Sequence, residues 1–383
     1  MSVIANSSQA ALYIAPQSAE GTIPETPSWT KCRMNGDTLS ETFGEVDSKE
    51  IRSDRQPTGK YHTTTEVSGD ITTELSYGGA TDTLMQYAMQ STWGTAARTV
   101  TASTISTVAS TNTIHDSAGG LPLFRNGEPI NMTGIAELSG VIVVSSTVSD
   151  IVISGATLTD ISEGTETTIS SVAVPLGIGT TRTPFMALRE FGDLAVGSGK
   201  YQLKTDCYIN SMKWEMAVDG LTTLTFSIIG LNAEVPGYTS VSYTAASTTD
   251  KMPGIGVIAY IDGTESTCIS SADFTVDNGI TTKHCFNYQK STSNGRAMLT
   301  LNFKVGYTSD ALYQKALSNE TIALLLHQED ADGNGYFVHF PKVRLGAVKT
   351  DRSETNAVEP DITATPEYDS TAGYAVQIEK YSA

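Results

Sequence analysis

The chain repeats itself, and that repetition narrows the folds open to it. Residues 71–77 (ITTELSY) alternate apolar and polar side chains as a strand does, and Gly78 with Gly79 ends the run. Leu84, Met85, Ala88 and Met89 then fall on one face of a short helix. Thr81 stands where a hydroxyl can cap the first turn, and Asp82 where the helix dipole favours a carboxylate. Residues 298–307 (MLTLNFKVGY) and 309–317 (SDALYQKAL) give the same pattern again. Laid without gaps, the second helix matches the first at Asp82/Asp310, Leu84/Leu312, Gln86/Gln314 and Ala88/Ala316.

The segments after each helix recur as well. Residues 184–191 and 201–209, joined by a Gly/Asp turn, parallel 321–326 and 336–343, joined by an Asp/Gly turn. Each copy closes on a hairpin, 211–216 with 224–228 in the first and 363–368 with 374–378 in the second. A common order of strand, helix, strand, turn, strand and hairpin predicts two related β-rich units. Abundant Thr, Ser, Val, Ile and Gly, with only 17% charged residues, agree with a mainly β chain. No stretch of eighteen apolar residues occurs, and the first twenty residues lack a basic segment followed by an apolar core, so neither a membrane span nor an export signal is expected.

The organisation expected along the 383 residues is an N-terminal arm at 1–30 and a first unit at 31–98 and 184–235. An inserted small β domain at 99–183 interrupts that unit, and a second unit comes after it at 236–383. The arm carries Pro16, Gly21, Pro24 and Pro27, which prevent a long regular element. In the insertion, residues 140–144, 150–153 and 167–169 are short β runs between Gly, Ser and Asp turns, consistent with a three-to-five-stranded barrel or sandwich. Residues 126–181 hold Glu128, Glu137, Asp150, Asp160, Glu163 and Glu166 and no Lys or Arg.

Residues 45–65 form a polar stretch of both charge signs, centred on Pro57 and Gly59, with no apolar face to bury. A loop this long inside a compact domain is usually functional or disordered. Glu45, Asp47, Lys49, Glu50, Arg52, Asp54, Arg55 and Lys60 are its candidate contacts with a partner, since arginines and carboxylates pair well across an interface.

Chemistry is sparse. Asp330, Asp332 and Asn334 copy the opening of a calcium-binding helix-loop-helix, but Pro341 replaces the bidentate glutamate and strands flank the loop, which favours a hairpin turn. The five histidines are scattered, and no phosphate loop, nucleophile elbow or H-E-x-x-H is present. Neither an active site nor a cofactor or metal is expected. Cys32, Cys207, Cys268 and Cys285 show no metal spacing; two bridges are open to them, though reduced, mostly structural thiols are favoured. A net charge of −18 makes the chain a poor ligand for DNA or an anionic membrane, though not a poor neighbour.

Residues 51–56 (IRSDRQ), Gly69 to Ile71, Glu74, Leu75, Tyr77, the helix with Asp82, Leu84 and Ala88, and Trp93 resemble the major tail tube proteins of long, non-contractile-tailed bacteriophages. Phe274, residues 277–279, Gly306, Leu312, Tyr313, residues 332–336 and Pro341 are similar to the second half of that family. The resemblance implies two tandem tail-tube-type β-sandwich domains, each with one short flanking helix. It further implies stacked rings, here trimers with pseudo-sixfold symmetry, enclosing the conduit for DNA ejection.

On this reading the polar arm reaches onto the next ring, the lumen is net negative, and passing genomic DNA is not specifically bound. Implied partners are further copies of the chain, the tape measure protein, the tail terminator and the distal tail protein, in a virion assembled in the host cytoplasm without a membrane. The alternative class is a virion or cell-surface β-rich adhesin or decoration protein, which would display clustered aromatics and never stack. An enzyme such as a glycan hydrolase would need a carboxylate pair beside aromatic platforms, and Trp29, Trp93 and Trp214 offer none.

Overall fold

The computed structural model describes residues 4–56, 58–96, 98–197, 199–266, 268–287, 290–350 and 358–382. Strands with an apolar residue at every second position build an unbroken antiparallel run of eight. Its order is Ser40–Asp47, Lys60–Glu74, Thr223–Gly230, the second half of Tyr201–Ala217, Ile269–Asp277, Met298–Val305, Asp361–Pro366 and the second half of Gly335–Lys349. Each unit gives four strands in the same order, and the two fours join where Met212 faces Val276 and Trp214 faces Phe274. One face buries Ile71, Phe226, Met212, Phe274, Phe303 and Ile362 in a common core. Period two leaves Ser, Thr and Asp on the other.

A second layer covers that core. In the first unit it comprises Ala10–Pro16, Phe185–Phe191, the first half of Tyr201–Ala217 and Asn232–Glu234. In the second it comprises Ile258–Ile261, Thr321–Glu329, the first half of Gly335–Lys349 and Gln377–Tyr381. Each unit is thus a β-sandwich whose longest strand passes from the outer sheet to the inner one.

Even the irregularities recur. Phe185 faces Cys207 and Ala187 faces Lys204, which leaves one extra residue on the second strand; Ile322 facing Val343 and Leu324 facing Phe340 do the same. A further register shift comes after Ile209 in one unit and Leu345 in the other. Bulges at matching steps mean a shared backbone path. The strand registers bring Ile71 onto Phe303, whereas the gapless helix match brings Asp82 onto Asp310. The two matches differ by four residues, about one helical turn, so the helix similarity keeps a face but not a position.

The two helices differ in surroundings. α1 (Gly79–Met89) buries Leu84, Met85, Ala88 and Met89 and stacks Tyr87 on Phe185 at 5.1 Å. Burying such a side chain is worth about 1.5–3 kcal/mol. The helix starts before Thr81, with Gly78 at φ 79° as its N-cap and no side-chain cap, so Thr81 is a buried first-turn residue. Asp82 answers a neighbour rather than the dipole alone: it accepts from Tyr336 Oη and Lys380 Nζ of the second unit, each at 2.5 Å. α2 (Ala311–Leu317) has no buried residue.

The expected arm at 1–30 is corrected in part. Ala10–Pro16 is an interior strand with Leu12 and Ile14 1% exposed, because its apolar residues complete the outer sheet. The second unit also begins later than 236. Tyr243–Thr244 pairs with Trp29 and Thr30, and Met252 is buried against Leu75, all on the first unit. The four cysteines are free thiols; burial pushes Cys32 up to about 12 and raises Cys207, while Cys268 and Cys285 are exposed.

The insertion forms its own sheet of seven strands rather than three to five, around Ile114, Ile130, Met132, Ile151 and Ile169. Its exit strand, Val174–Gly177, pairs with Gln377–Tyr381 and so lengthens the second unit's outer sheet. Arg98 and Arg125 meet the buried Glu379 at 2.9 and 2.7 Å, and Arg98 meets the buried Glu128 at 2.6 Å. Burial alone would raise Glu379, but Arg125 and then Arg98 hold it down at about 2. Burial wins at Glu128, which is raised. Gly127, at φ 84°, sits where a Cβ would come within 3.1 Å of the His327 ring, so the insertion's turn fits flat on the outer face of the second unit.

Candidate assembly interface

The eight-stranded run turns an uncovered polar face outward. Glu74, Thr223, Glu215, Asp273, Asn302 and Thr363 make one row across it, each directly opposite the next. Across the middle of this face Asp70, Glu74, Glu215, Asp273, Asp277 and Asp361 outnumber Lys213, Lys304 and Lys349. Ser227 donates to Asp70 at 2.6 Å, Asn302 to Asp273 at 3.0 Å, and Lys213 pairs with Glu215 at 2.5 Å, so the groups hold one another upright. The rims add Glu66, bonded to His284, and Glu367, which pairs with both Arg344 and Lys342. A carboxylate excess among hydroxyls disfavours polyanions.

The run ends in two edges. At one end is Ser40–Asp47, at the other the last residues of Gly335–Lys349, and neither has a further strand beside it among the described residues. Inside the chain, the strand equivalent to the second edge already pairs with the strand equivalent to the first: Met212 corresponds to Val348 and Val276 to Glu41 by register. The free edges are therefore the two halves of a joint that the protein makes once internally. An unpaired edge of this length is a template for pairing with another chain.

The ends of the long polar stretch are legs of a hairpin, Ser40–Asp47 against Lys60–Glu74; between them residues 48–56, 58 and 59 are loop, and Pro57, on which the stretch centres, lies outside the described residues. Its apolar groups form no buried face: Val46, Ile51 and Tyr61 are more than half exposed, and Phe43, just before the stretch, stacks on His62 at 4.9 Å. Of the candidate contacts, Lys60 Nζ lies 2.7 Å from Glu45, whose carboxyl this hydrogen bond lowers. Asp47 is Lys60's strand neighbour. Arg52 closes on Asp54 at 2.7 Å, raising the guanidinium and lowering the carboxyl, and Asp54 also accepts from the Gln56 amide. Lys49, Glu50 and Arg55 are exposed without an ion partner among the described residues. Arg55 adopts φ 59° at the loop's turn.

The second unit's counterpart is the shorter hairpin of Thr281–His284 with Lys290–Ser293. His284 bonds Glu66 at 2.6 Å and Lys290 donates to the Thr65 and Leu231 carbonyls, so this hairpin is folded against the first. Sequence reading missed the free edges and the polar face, although the alternation of Thr72, Glu74, Thr223 and Thr225 with apolar residues carried the signal.

Asp330 is the centre of a turn: its carboxylate accepts from the amides of Asp332 and Asn334 and from the Asn334 side chain. No group of three or more metal-ligating side chains occurs among the described residues, and no helix is long and apolar enough to cross a membrane. A family model described as phage tail tube protein matches residues 7–370. No curated protein matches the chain.

Proposed function

The chain belongs to the phage tail tube protein family, a structural component of the virion tail, and from that premise we propose that its copies close into rings through the joint that already links its two units. The single observation carrying this is the pair of free edges. The same four-strand order and bulges support a joint with Val348 of one copy opposite Glu41 of the next, and Ala347 opposite Thr42, in the register of Met212 with Val276.

Three chains supply six four-stranded sets, a pseudo-sixfold barrel whose inward face is the polar one. The carboxylates there give a wall that DNA passes without sticking, so the ring is a conduit for ejection and not an enzyme. The insertion meets the opposite side of the second unit, with Gly127 over His327 and Ala173 against Phe337, and lies outside the ring. The hairpin with Glu45, Asp47, Lys49, Glu50, Arg52, Asp54, Arg55 and Lys60 projects along the axis as the ring-to-ring contact, a heterologous surface that repeats without closing. Tape measure, terminator and distal tail proteins are the expected neighbours of such a tube, assembled in the host cytoplasm.

Negative-stain microscopy of the purified protein tests this. Rings or tubes with a hole about as wide as duplex DNA are expected; monomers at every concentration would overturn it.

A further inference from the structure

The two units differ most in what lies over the segment leading into each helix. On the first unit, residues 247–253 cross it. Met252, fully buried, donates its amide to the Leu75 carbonyl and accepts from Thr222, Lys251 bridges Ser76, and Ser247 and Thr249 donate to the Tyr77 carbonyl. On the second unit the equivalent place is an open groove of about 400 Å³ lined by Ile261, Val305, Tyr307, Leu312, Val348 and Ile362. Leu75 is 0% exposed and its counterpart Tyr307 is 51% exposed. The Leu75 amide bonds the Thr222 carbonyl just as the Tyr307 amide bonds that of Val358. Only the covering strand is missing from the second site among the described residues.

The covering segment has a counterpart in the sequence. Met252 lies just before a single 3-10 turn, Gly254–Gly256, which leads into Ile258–Ile261. At the chain's start Ser7–Gln9 is the same turn leading into Ala10–Pro16, and the residues before it are Ile4 and Ala5. Ile4 is 85% exposed. Asn6 donates its amide to Asp193, which anchors the turn while Ile4 stays in solvent and Ala5 is half-buried.

We propose that Ile4 and Ala5 of one copy dock into this groove on the neighbouring copy, in the backbone positions that Lys251 and Met252 hold inside the chain. This rests on the ring reading above, since the operation that carries the first unit onto the second carries the second onto the first unit of the next copy. The residues preceding Ala10–Pro16 then arrive beside Tyr307 and Thr308. An apolar, uncharged segment suits the groove's apolar lining. The dock makes each joint a strand pair on the inside and a strap on the outside.

Disulfide trapping tests it in the full chain with Cys268→Ser and Cys285→Ser. Ile4→Cys with Thr308→Cys, the equivalents of the Lys251 and Ser76 bridge, should convert most of the protein into covalent dimers and trimers on non-reducing gels; either cysteine alone should not give the trimer. Thr42→Cys with Ala347→Cys probes the strand joint independently. If the strand pair cross-links between chains and the Ile4 pair does not, or bridges only within one chain, the docking is overturned and the ring stands. If neither pair links chains, both fall. If only the Ile4 pair does, the docking holds and the strand closure is wrong.

Discussion

Arg125 and Glu379 come from parts of the sequence 254 positions apart, yet their side chains are almost fully buried together. Removing one partner of a buried pair strands the other charge, which typically costs about 3–5 kcal/mol. Arg125→Met should therefore lower unfolding stability by about that amount, read by chemical denaturation, while Arg52→Ala, at an exposed pair, should change it little. His327 gives a second residue-level expectation. Burial lowers its pKa from 6.5 to about 4, and Tyr381, Phe337 and Gly127 surround it. A histidine with a depressed folded value lends stability above its unfolded pKa and loses it as pH falls toward the folded one. Stability should thus decline by on the order of 3 kcal/mol per chain between pH 6.5 and 4. His339, lowered to about 3 by burial and then by Arg125, adds in the same direction. Melting curves across that range, repeated with His327→Phe, check it: the variant should show a shallower slope.

At the scale of elements, the two helices carry the clearest contrast. Leu84→Ala empties a site that is 2% exposed and should cost about 2–5 kcal/mol, whereas Leu312→Ala on α2 should cost the monomer far less and reduce assembly instead. Comparing denaturation with sedimentation for the two variants separates the effects. The hairpin arm makes an opposite expectation: Arg52→Ala with Arg55→Ala should leave the melting temperature within a few degrees and weaken tube growth. Unchanged polymerisation would remove the arm from the ring-to-ring contact. Both helices and most strands were legible from spacing, because local periodicity fixes which face is apolar. Their partners were not. Ala10–Pro16 read as an arm, since the prolines after it hid a seven-residue strand. The two ends of the polar stretch read as loop with the rest, because the cross-strand neighbours Val46 and Tyr61 are fifteen residues apart in a charged context.

For the whole molecule, the insertion is the separable part. Replacing residues 99–171 with a short linker, while keeping Val174–Gly177 as the strand beside Gln377–Tyr381, should leave rings intact, with a narrower outer outline in micrographs and a lower melting temperature from the uncovered His327 and a Glu379 left with Arg98 alone. Loss of all assembly would place the insertion in the joint. By itself the sequence determined that the chain is mainly β, that a sheet-plus-helix unit occurs twice, and that no local motif for catalysis stands out, because each of these is written in short-range periodicity and residue type. Only the tertiary structure decided that the two units share one continuous sheet, that its ends complement each other, and that one helix is covered while the other is only partly so. Those depend on strand register and on contacts between residues hundreds of positions apart, which alternation along a single strand does not encode.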